Sequence, residues 1–391
     1  MGFKKADLVI INRSFWPIYP VIGEALLRFA EQQAETKDVR VIMQDHADIR
    51  AELKNQCRGD GVQFYPCKAR SVSGSGVLRR VVDAIFFMVW VFAMLLCARP
   101  KKVYVSTDPP VLVPFMVLVY SKLFNAEYIY HLQDIHPEAA NVVIPVNKWL
   151  FGALRWLDSL VMRHANLIIT VTEEMAQEIR LRSATVAPIS VVSNPAVSFD
   201  GVIMPVSKRA GFTFCGNAGR LQRIPLLIEA ISAYIKSGGT LPFIFAGGGV
   251  FAKALEQLSN NNANVTYLGQ ISAAEAAQLS ADYQWALLPI EDGVTRFAFP
   301  SKSSSYVFSG AYVAAICGDQ TSVASWVRTN NLGVVIEPDV ESLCAFFRQV
   351  ECHEIDDISF DQQRLKLKQR LSFDCFISQL EQLLAAREAR Q

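Results

Sequence analysis

The chain alternates short apolar runs with longer stretches whose apolar residues recur every three or four positions. LVIIN forms the first run, the loop RSFWPIYPVIG follows, and a helical pattern occupies residues 24–35. VRVIMQ, VQFYPC, KVYVST, AEYIYHLQD, LIITVT and SVVSNP continue as strand-like runs through the first half. The second half repeats the alternation: FTFCGNAGR precedes the helical PLLIEAISAYIKSGG, LPFIFAGGG precedes VFAKALEQLSN, and NVTYLGQI precedes SAAEAAQLSA. WALLPI, the segment FPSKSSSYVFSGAYVAAICGD, VASWVRTNN and LGVVIEP come next, and a last helical pattern covers residues 374–387. Strands separated by helices, with turn chemistry at the junctions, predict βαβ units and parallel sheets. The stretch PAVSFDGVIMPVSKRAG lacks periodicity and is rich in turn residues, as a linker is. It divides the chain into domains 1–200 and 201–391, with the last helix free to cross back to the first.

One run breaks the alternation. Residues 81–98 read VVDAIFFMVWVFAMLLCA, preceded by Arg79 and Arg80 and followed by Arg99, Lys101 and Lys102. A spanning helix needs about 20 apolar residues, and this run is slightly short and contains Asp83. A buried core helix, a spanning helix and a helix lying in one leaflet all satisfy the composition. Basic residues at both ends suit anionic headgroups and favour the last. A second apolar run, 111–124, is interrupted by Lys122. The opening MGFKKADLVIINRS has too short an apolar core for a signal peptide and reads as a first strand. The expected location is cytoplasmic, peripheral on the inner face of the membrane.

Composition narrows the classes. With 391 residues, 51% hydrophobic and 19% charged, the chain holds enough apolar material for two cores at roughly 100–200 residues per domain. A formal net charge of +1 gives no global basic excess, so no nucleic-acid partner is expected. The eight cysteines form no CxxC pair and no Cys/His group with zinc spacing, so reduced buried thiols and no metal site are expected.

Four constellations carry candidate chemistry. In CGNAGRLQRIP, Gly216 and Gly219 allow a tight open turn around Asn217, Pro225 suits the first helical turn, and Arg220 adds a cation at a ready anion site. In FPSKSSSYVFSG, Ser301 is an N-cap candidate, with Lys302 and three serines, including Ser305, in the first turn. The turn Gly247–Gly249 follows another strand, where backbone can approach a ligand closely. In YIYHLQDIHPE, His131 and Gln133 share a strand face, Asp134 sits at the strand end, and His136 and Glu138 lie beyond it. Ordinary βα turns, a capped helix and a packed histidine account for each of these alone.

Together with TDPP, IITVTEEM and SNPAV, in this order and spacing, these motifs resemble the retaining glycosyltransferases of GT-B fold. The resemblance is to the large bacterial polysaccharide type found in O-antigen and colanic-acid clusters, and it covers nearly the whole chain. It implies two Rossmann-like domains with an interdomain cleft, and transfer of a sugar with retention from a nucleotide diphosphate donor, UDP before GDP, without a further cofactor. The donor would be held by Gly216, Asn217, Gly219, Arg220, Gly248, Leu268, Gln270, Ser301, Lys302 and Ser305, and Arg220 and Lys302 would stabilise the departing diphosphate. His131 and Asp134 would complete the catalytic group. The acceptor, an undecaprenyl-diphosphate-linked saccharide at the inner membrane, would meet Phe15, Trp16, Gln133, His136 and Glu138. The chain departs from the pattern where a pair of glutamates is usual: Phe297 and Ser305 stand there, with Glu291 or Asp292 as candidate stand-ins, and only Gly23 remains of a glycine pair in the first loop. Two other readings stay open. One is a sugar-nucleotide epimerase of the same architecture, which would need no acceptor. The other is a non-catalytic nucleotide-sugar-binding subunit of a polysaccharide assembly complex.

Overall fold

The computed structural model describes residues 5–71, 77–143, 145–355 and 362–388. Of the loop SVSGSG only Ser71 lies within them. Contacts divide the chain into one unit up to Asn194 plus the residues from Phe373, and a second unit spanning Pro195–Ser372.

The N-terminal unit runs β1 (Leu8–Ile11), α1 (Ile22–Ala34), β2 (Val39–Asp45), α2 (Ile49–Asn55), β3 (Gln63–Lys68), α3 (Val77–Ala98) and β4 (Lys102–Ser106). It continues with α4 (Leu112–Phe124), β5 (Glu127–Leu132), α5 (Glu138–Val143), α6 (Lys148–His164), β6 (Leu167–Thr170), α7 (Glu173–Ser183) and β7 (Ile189–Val191). Its strands are all parallel, in the order β3-β2-β1-β4-β5-β6-β7. Central strands β1 and β6 are buried at every position, which explains their unbroken apolar runs. Strand order reverses between β1 and β4, the place where ligands of such sheets bind.

The second unit runs β8 (Arg209–Cys215), α8 (Ile224–Lys236), β9 (Phe243–Ala246), α9 (Ala252–Asn261), β10 (Val265–Tyr267), α10 (Ala273–Asp282) and β11 (Tyr283–Pro289). After a 3-10 turn at Asp292–Val294 come α11 (Lys302–Ser309), β12 (Tyr312–Ile316), α12 (Ser322–Thr329), β13 (Gly333–Ile336), α13 (Val340–Glu351) and α14 (Gln362–Arg370). Its parallel sheet has the order β10-β9-β8-β11-β12-β13, so its switch point lies between β8 and β11. Phe212, Phe243, Phe346, Phe347 and Tyr234 build an edge-to-face aromatic core where α8 and α13 cover the sheet.

The last helix, α15 (Phe373–Glu388), returns to the N-terminal unit and packs on α1. Phe373, Phe376, Ile377, Leu380 and Leu384 enter the core that α1 and β1 share. Gln33 Nε2 donates to Glu381 at 2.8 Å, and Arg28 stacks over Phe373 at 4.7 Å.

Helix α3 settles one open point about the apolar run. Asp83, Phe87, Val91, Leu95 and Ala98 are buried along one stripe, while Val81, Val82, Ile85, Phe86 and Val89 are exposed. Only 28% of its most apolar stretch is buried, so it is not a core helix wrapped on all sides. Asp83 does not face the exposed side. It accepts from Ser71 Oγ at 2.6 Å, Ser71 N at 3.1 Å and Arg70 N at 3.2 Å. Burial raises its pKa, and these hydrogen bonds outweigh burial and hold it below the usual value.

Candidate functional site

In the N-terminal unit the polar groups gather at the C-terminal ends of β1, β4 and β5. The loop after β1 is tied to the loop after β4. Ser14 N donates to Asp108 Oδ2 at 3.0 Å, Ser14 Oγ donates to the same oxygen, Arg13 pairs with Asp108 at 3.1 Å, and Ser106 Oγ donates to Asn12 Oδ1. Thr107 N donates to the His131 carbonyl at 3.2 Å, and Gln133 N to Thr107 Oγ1 at 3.4 Å, so β5's end joins the same edge. Asp134 is half-buried there. Burial, and behind it the Asp108 carboxylate, lift its pKa to about 6. His136, also half-buried, is pushed down to about 4 by burial, against the pull of Asp108. A carboxyl that titrates near 6 is suited to proton transfer.

The second unit builds its site from the glycine turns. Gly216 follows β8 with φ 140°, Gly247 follows β9 with φ 124°, and Gly249 has φ 130°. A Cβ on Gly247 would lie 2.0 Å from the Gly216 carbonyl, and one on Gly249 2.5 Å from the Ala218 carbonyl, so only glycine allows these loops to touch. Ala218 N donates to the Gly248 carbonyl at 2.7 Å, and Tyr267 Oη to that of Gly247 at 2.7 Å. Gly216 and Asn217 remain exposed. Lys302 opens α11 and points back to this turn. Its Nζ lies 3.6 Å from where a Gly216 Cβ would stand and 3.6 Å above the centre of the Phe214 ring. That nitrogen is buried without a hydrogen-bond partner among the described residues, and burial lowers its pKa to about 7. A buried ammonium beside an open glycine turn is arranged to receive an anion.

Several expected site residues stand elsewhere. Phe15 is 1% exposed within the core, edge-on to Phe64, and Trp16 is buried beneath Arg58, so neither ring is open to an acceptor. Gly23 explains this: its missing Cβ would lie 2.6 Å from Trp16 N, so α1 presses the loop inward. The exposed side chains of that loop are Ile18, Tyr19 and Pro20. His131 is fully buried, bonded to the Tyr104 hydroxyl and packed on Phe376, with burial lowering its pKa to about 3. It is a neutral core histidine, and this corrects its place in the catalytic group. Glu138 is buried between Arg155 and Arg182, each at 3.1 Å, and Arg182 also binds Asp158 at 2.8 Å. It anchors α5, α6 and α7 instead of meeting a sugar.

Gln133 and His136 stay at the edge with Asp134. Gly216, Asn217, Gly219, Arg220, Gly248, Leu268 and Gln270 lie on the neighbouring loops after β8, β9 and β10, with Arg220, Leu268 and Gln270 exposed. Ser301 has helical φ and ψ and makes no side-chain cap, contrary to its reading as an N-cap. Ser305 Oγ accepts from Val197 N at 3.3 Å. Glu291 and Asp292 are engaged by Arg223 at 3.2 and 3.1 Å, and Asp292 also accepts from Gly318 N at 2.8 Å. Asp108, Arg13, Ser14 and Arg223 also stand at these loop edges and are not among the residues expected from the sequence. The motif TDPP marked the turn that carries Asp108, but only the fold reveals the Arg13 and Ser14 partners. Among the described residues no three His, Cys, Asp or Glu side chains gather as a metal site.

Residues 22–195 match the sequence profile of the glycosyl transferase 4-like domain. The probable glycosyltransferase WbjE of Pseudomonas aeruginosa is 24% identical over 267 residues, which span 64% of this chain and 66% of that protein, just under two thirds of its length. Among solved structures, sucrose-phosphate synthase from Thermosynechococcus elongatus superposes with a TM-score of 0.71 at 12% identity, over 99% of this chain and 100% of that one. Anabaena Alr3699/HepE in complex with UDP gives 0.65 at 13% identity, over 97% and 100%. At such identities the structural likeness concerns fold alone. The N-terminal half is thus similar to the glycosyl transferase 4-like domain, and the chain has the two-domain architecture of the GT-B fold.

Proposed function

We propose that the protein transfers a sugar, with retained configuration, from a nucleotide diphosphate donor to a lipid-linked saccharide in the synthesis of a bacterial surface polysaccharide. The observation that carries the donor half is Lys302, whose buried and unpartnered Nζ stands beside the open turn at Gly216. A diphosphate at that turn would supply the missing partner, and Arg220 would add a second cation. Charge growing on the leaving group would then be stabilised in a site poor in water. The loops at Gly248 and Leu268–Gln270 would hold the base, and the UDP in the HepE structure favours uridine. Asp134, with Gln133 and His136, would serve the acceptor side.

The exposed face of α3 supports peripheral attachment to a membrane, as does a feature the sequence reading passed over. On α6, Trp149, Leu150 and Trp156 are 89%, 54% and 59% exposed, and α6 packs on α4 as α4 packs on α3. Tryptophans at the edge of an apolar surface suit the headgroup level. The test is a donor screen of UDP- against GDP-sugars with membrane lipid extract as acceptor. Sugar appearing in the lipid fraction supports the reading. Altered sugar nucleotide without acceptor points to an epimerase, and binding without turnover to a non-catalytic subunit. Ser305 and the engaged Glu291 and Asp292 keep that last reading in view.

A further inference from the structure

A cavity lies in the N-terminal unit, at the N-terminal ends of the strands and so at the edge opposite Asp108 and Asp134. It measures about 1180 Å³. The segments entering β1, β4, β5 and β6 line it, together with the ends of α1, α3, α4 and α6. Six cations border it, Lys5, Lys37, Arg99, Lys101, Lys102 and Lys122, against the two carboxylates Asp7 and Glu127.

The ordinary explanation for basic residues here is compensation of helix C-termini. Each such end carries roughly half a negative charge. Four helix ends and two carboxylates leave an excess of roughly two positive charges, so compensation does not exhaust the cations. Lys5, Arg99, Lys101 and Lys122 make no ion pair among the described residues. Apolar side chains stand at the same ends: Leu96 on α3, and Leu123 and Phe124 on α4, at 38%, 66% and 48% exposure. The volume slightly exceeds the roughly 300–1,000 Å³ of small-molecule sites.

We propose that this cavity binds a phosphate-bearing anion of about two negative charges, separate from the nucleotide. The same chemistry is offered by acidic phospholipid headgroups and by soluble phosphates. The proposal does not rest on the sugar-transfer reading, and a failed donor screen leaves it untouched.

The test uses the full chain with the paired substitutions Lys101→Ala and Lys122→Ala, and with Arg at both positions as the conservative control. Inorganic pyrophosphate is titrated calorimetrically in a Lys302→Met background, which removes the cation of the proposed donor site. Separately, co-sedimentation is measured with vesicles of phosphatidylcholine alone and with added phosphatidylglycerol. A basic residue near an anionic surface contributes about 1 kcal/mol, a factor of about five, so the double alanine variant should bind roughly 25-fold more weakly. The arginine variant should bind like the parent. Loss of pyrophosphate binding identifies a soluble phosphate as ligand. Loss of only the phosphatidylglycerol-dependent part identifies a headgroup, with partition to neutral vesicles unchanged because the α3 face is intact. If the double alanine variant keeps its fold and both affinities, or if the parent binds neither probe, the proposal is overturned.

Discussion

The ammonium of Lys302 lies over the Phe214 ring, has no hydrogen-bond partner among the described residues and titrates at about 7 because burial disfavours its charge. Two expectations follow with opposite signs. Between its ordinary value near 10.5 and about 7 the unfolded chain holds a proton that the folded one lacks, so stability falls as pH drops through that window. Lys302→Met should therefore melt higher than the parent at pH 7, as differential scanning calorimetry would show. The same variant should lose roughly 100-fold in turnover, since a diphosphate that restores the charge has lost its partner. Binding of UDP to the parent at pH 8 should take up as much as one proton, visible as a dependence of calorimetric heat on buffer ionisation enthalpy. No uptake would mean that Lys302 is not at the diphosphate. Asp134, raised to about 6, should impose an acid limb, with kcat/KM falling about tenfold per pH unit below 6. Asp134→Asn should remove that limb, whereas His131→Gln should leave the pH profile in place and lower stability. The sequence placed Gly216, Lys302 and Asp134 at loop ends because Gly, Lys and Asp next to strand ends have few other reasons to be there. His131 misled because alternation along β5 does not say which face of a sheet covered on both sides is open.

At the scale of elements, the alternation of apolar runs was enough to find the βαβ units, and β4, β7 and β9 end just before the DPP, NPA and GGG turns. The apolar pattern leaves six helices unmarked, α2, α5, α6, α7, α13 and α14, and two of them show why. α2 is only seven residues long, and its start is marked by Asp48, whose side chain accepts from Ala51 N at 3.4 Å. α6 was passed over because exposed Trp149, Leu150 and Trp156 blur the apolar stripe that marks a helix packed on one side. The buried stripe of α3 recurs every three or four residues, but its other face is apolar too, so the sequence alone left its setting open. Burying exposed apolar surface in lipid gains about 25 cal/mol per Å². Val82→Asp with Val89→Asp should therefore move the protein from the membrane fraction to the soluble one after cell lysis. Nucleotide affinity should stay within about twofold of the parent, since these residues and the glycine turns lie in different units. Retention in the membrane fraction would shift the weight to α6.

At the scale of the whole molecule, the linker was legible as a loss of periodicity, but the contacts place the change of unit at Asn194 and Pro195. Nothing in the pattern of residues 374–387 says which core they complete. That assignment depends on Phe376 reaching His131 and on Leu380 and Leu384 meeting α1, contacts between positions hundreds of residues apart. Deleting residues from Phe373 onward should leave the second unit able to bind nucleotide while the N-terminal unit becomes protease-sensitive. Limited proteolysis would show it, and equal resistance in both units would refute it. The same feature bears on how the protein is made. Residues 195–372 intervene between the first part of the N-terminal unit and α15. At about 5–20 residues per second, a ribosome needs roughly ten to forty seconds to synthesise that insertion. Throughout that interval the nascent N-terminal unit presents the bare apolar surface of α1 and its sheet to the cell, and at its end the second unit has all its residues while the first still lacks α15. The unit that begins first is thus completed last, and a holdase chaperone that shields α1 would act in that interval.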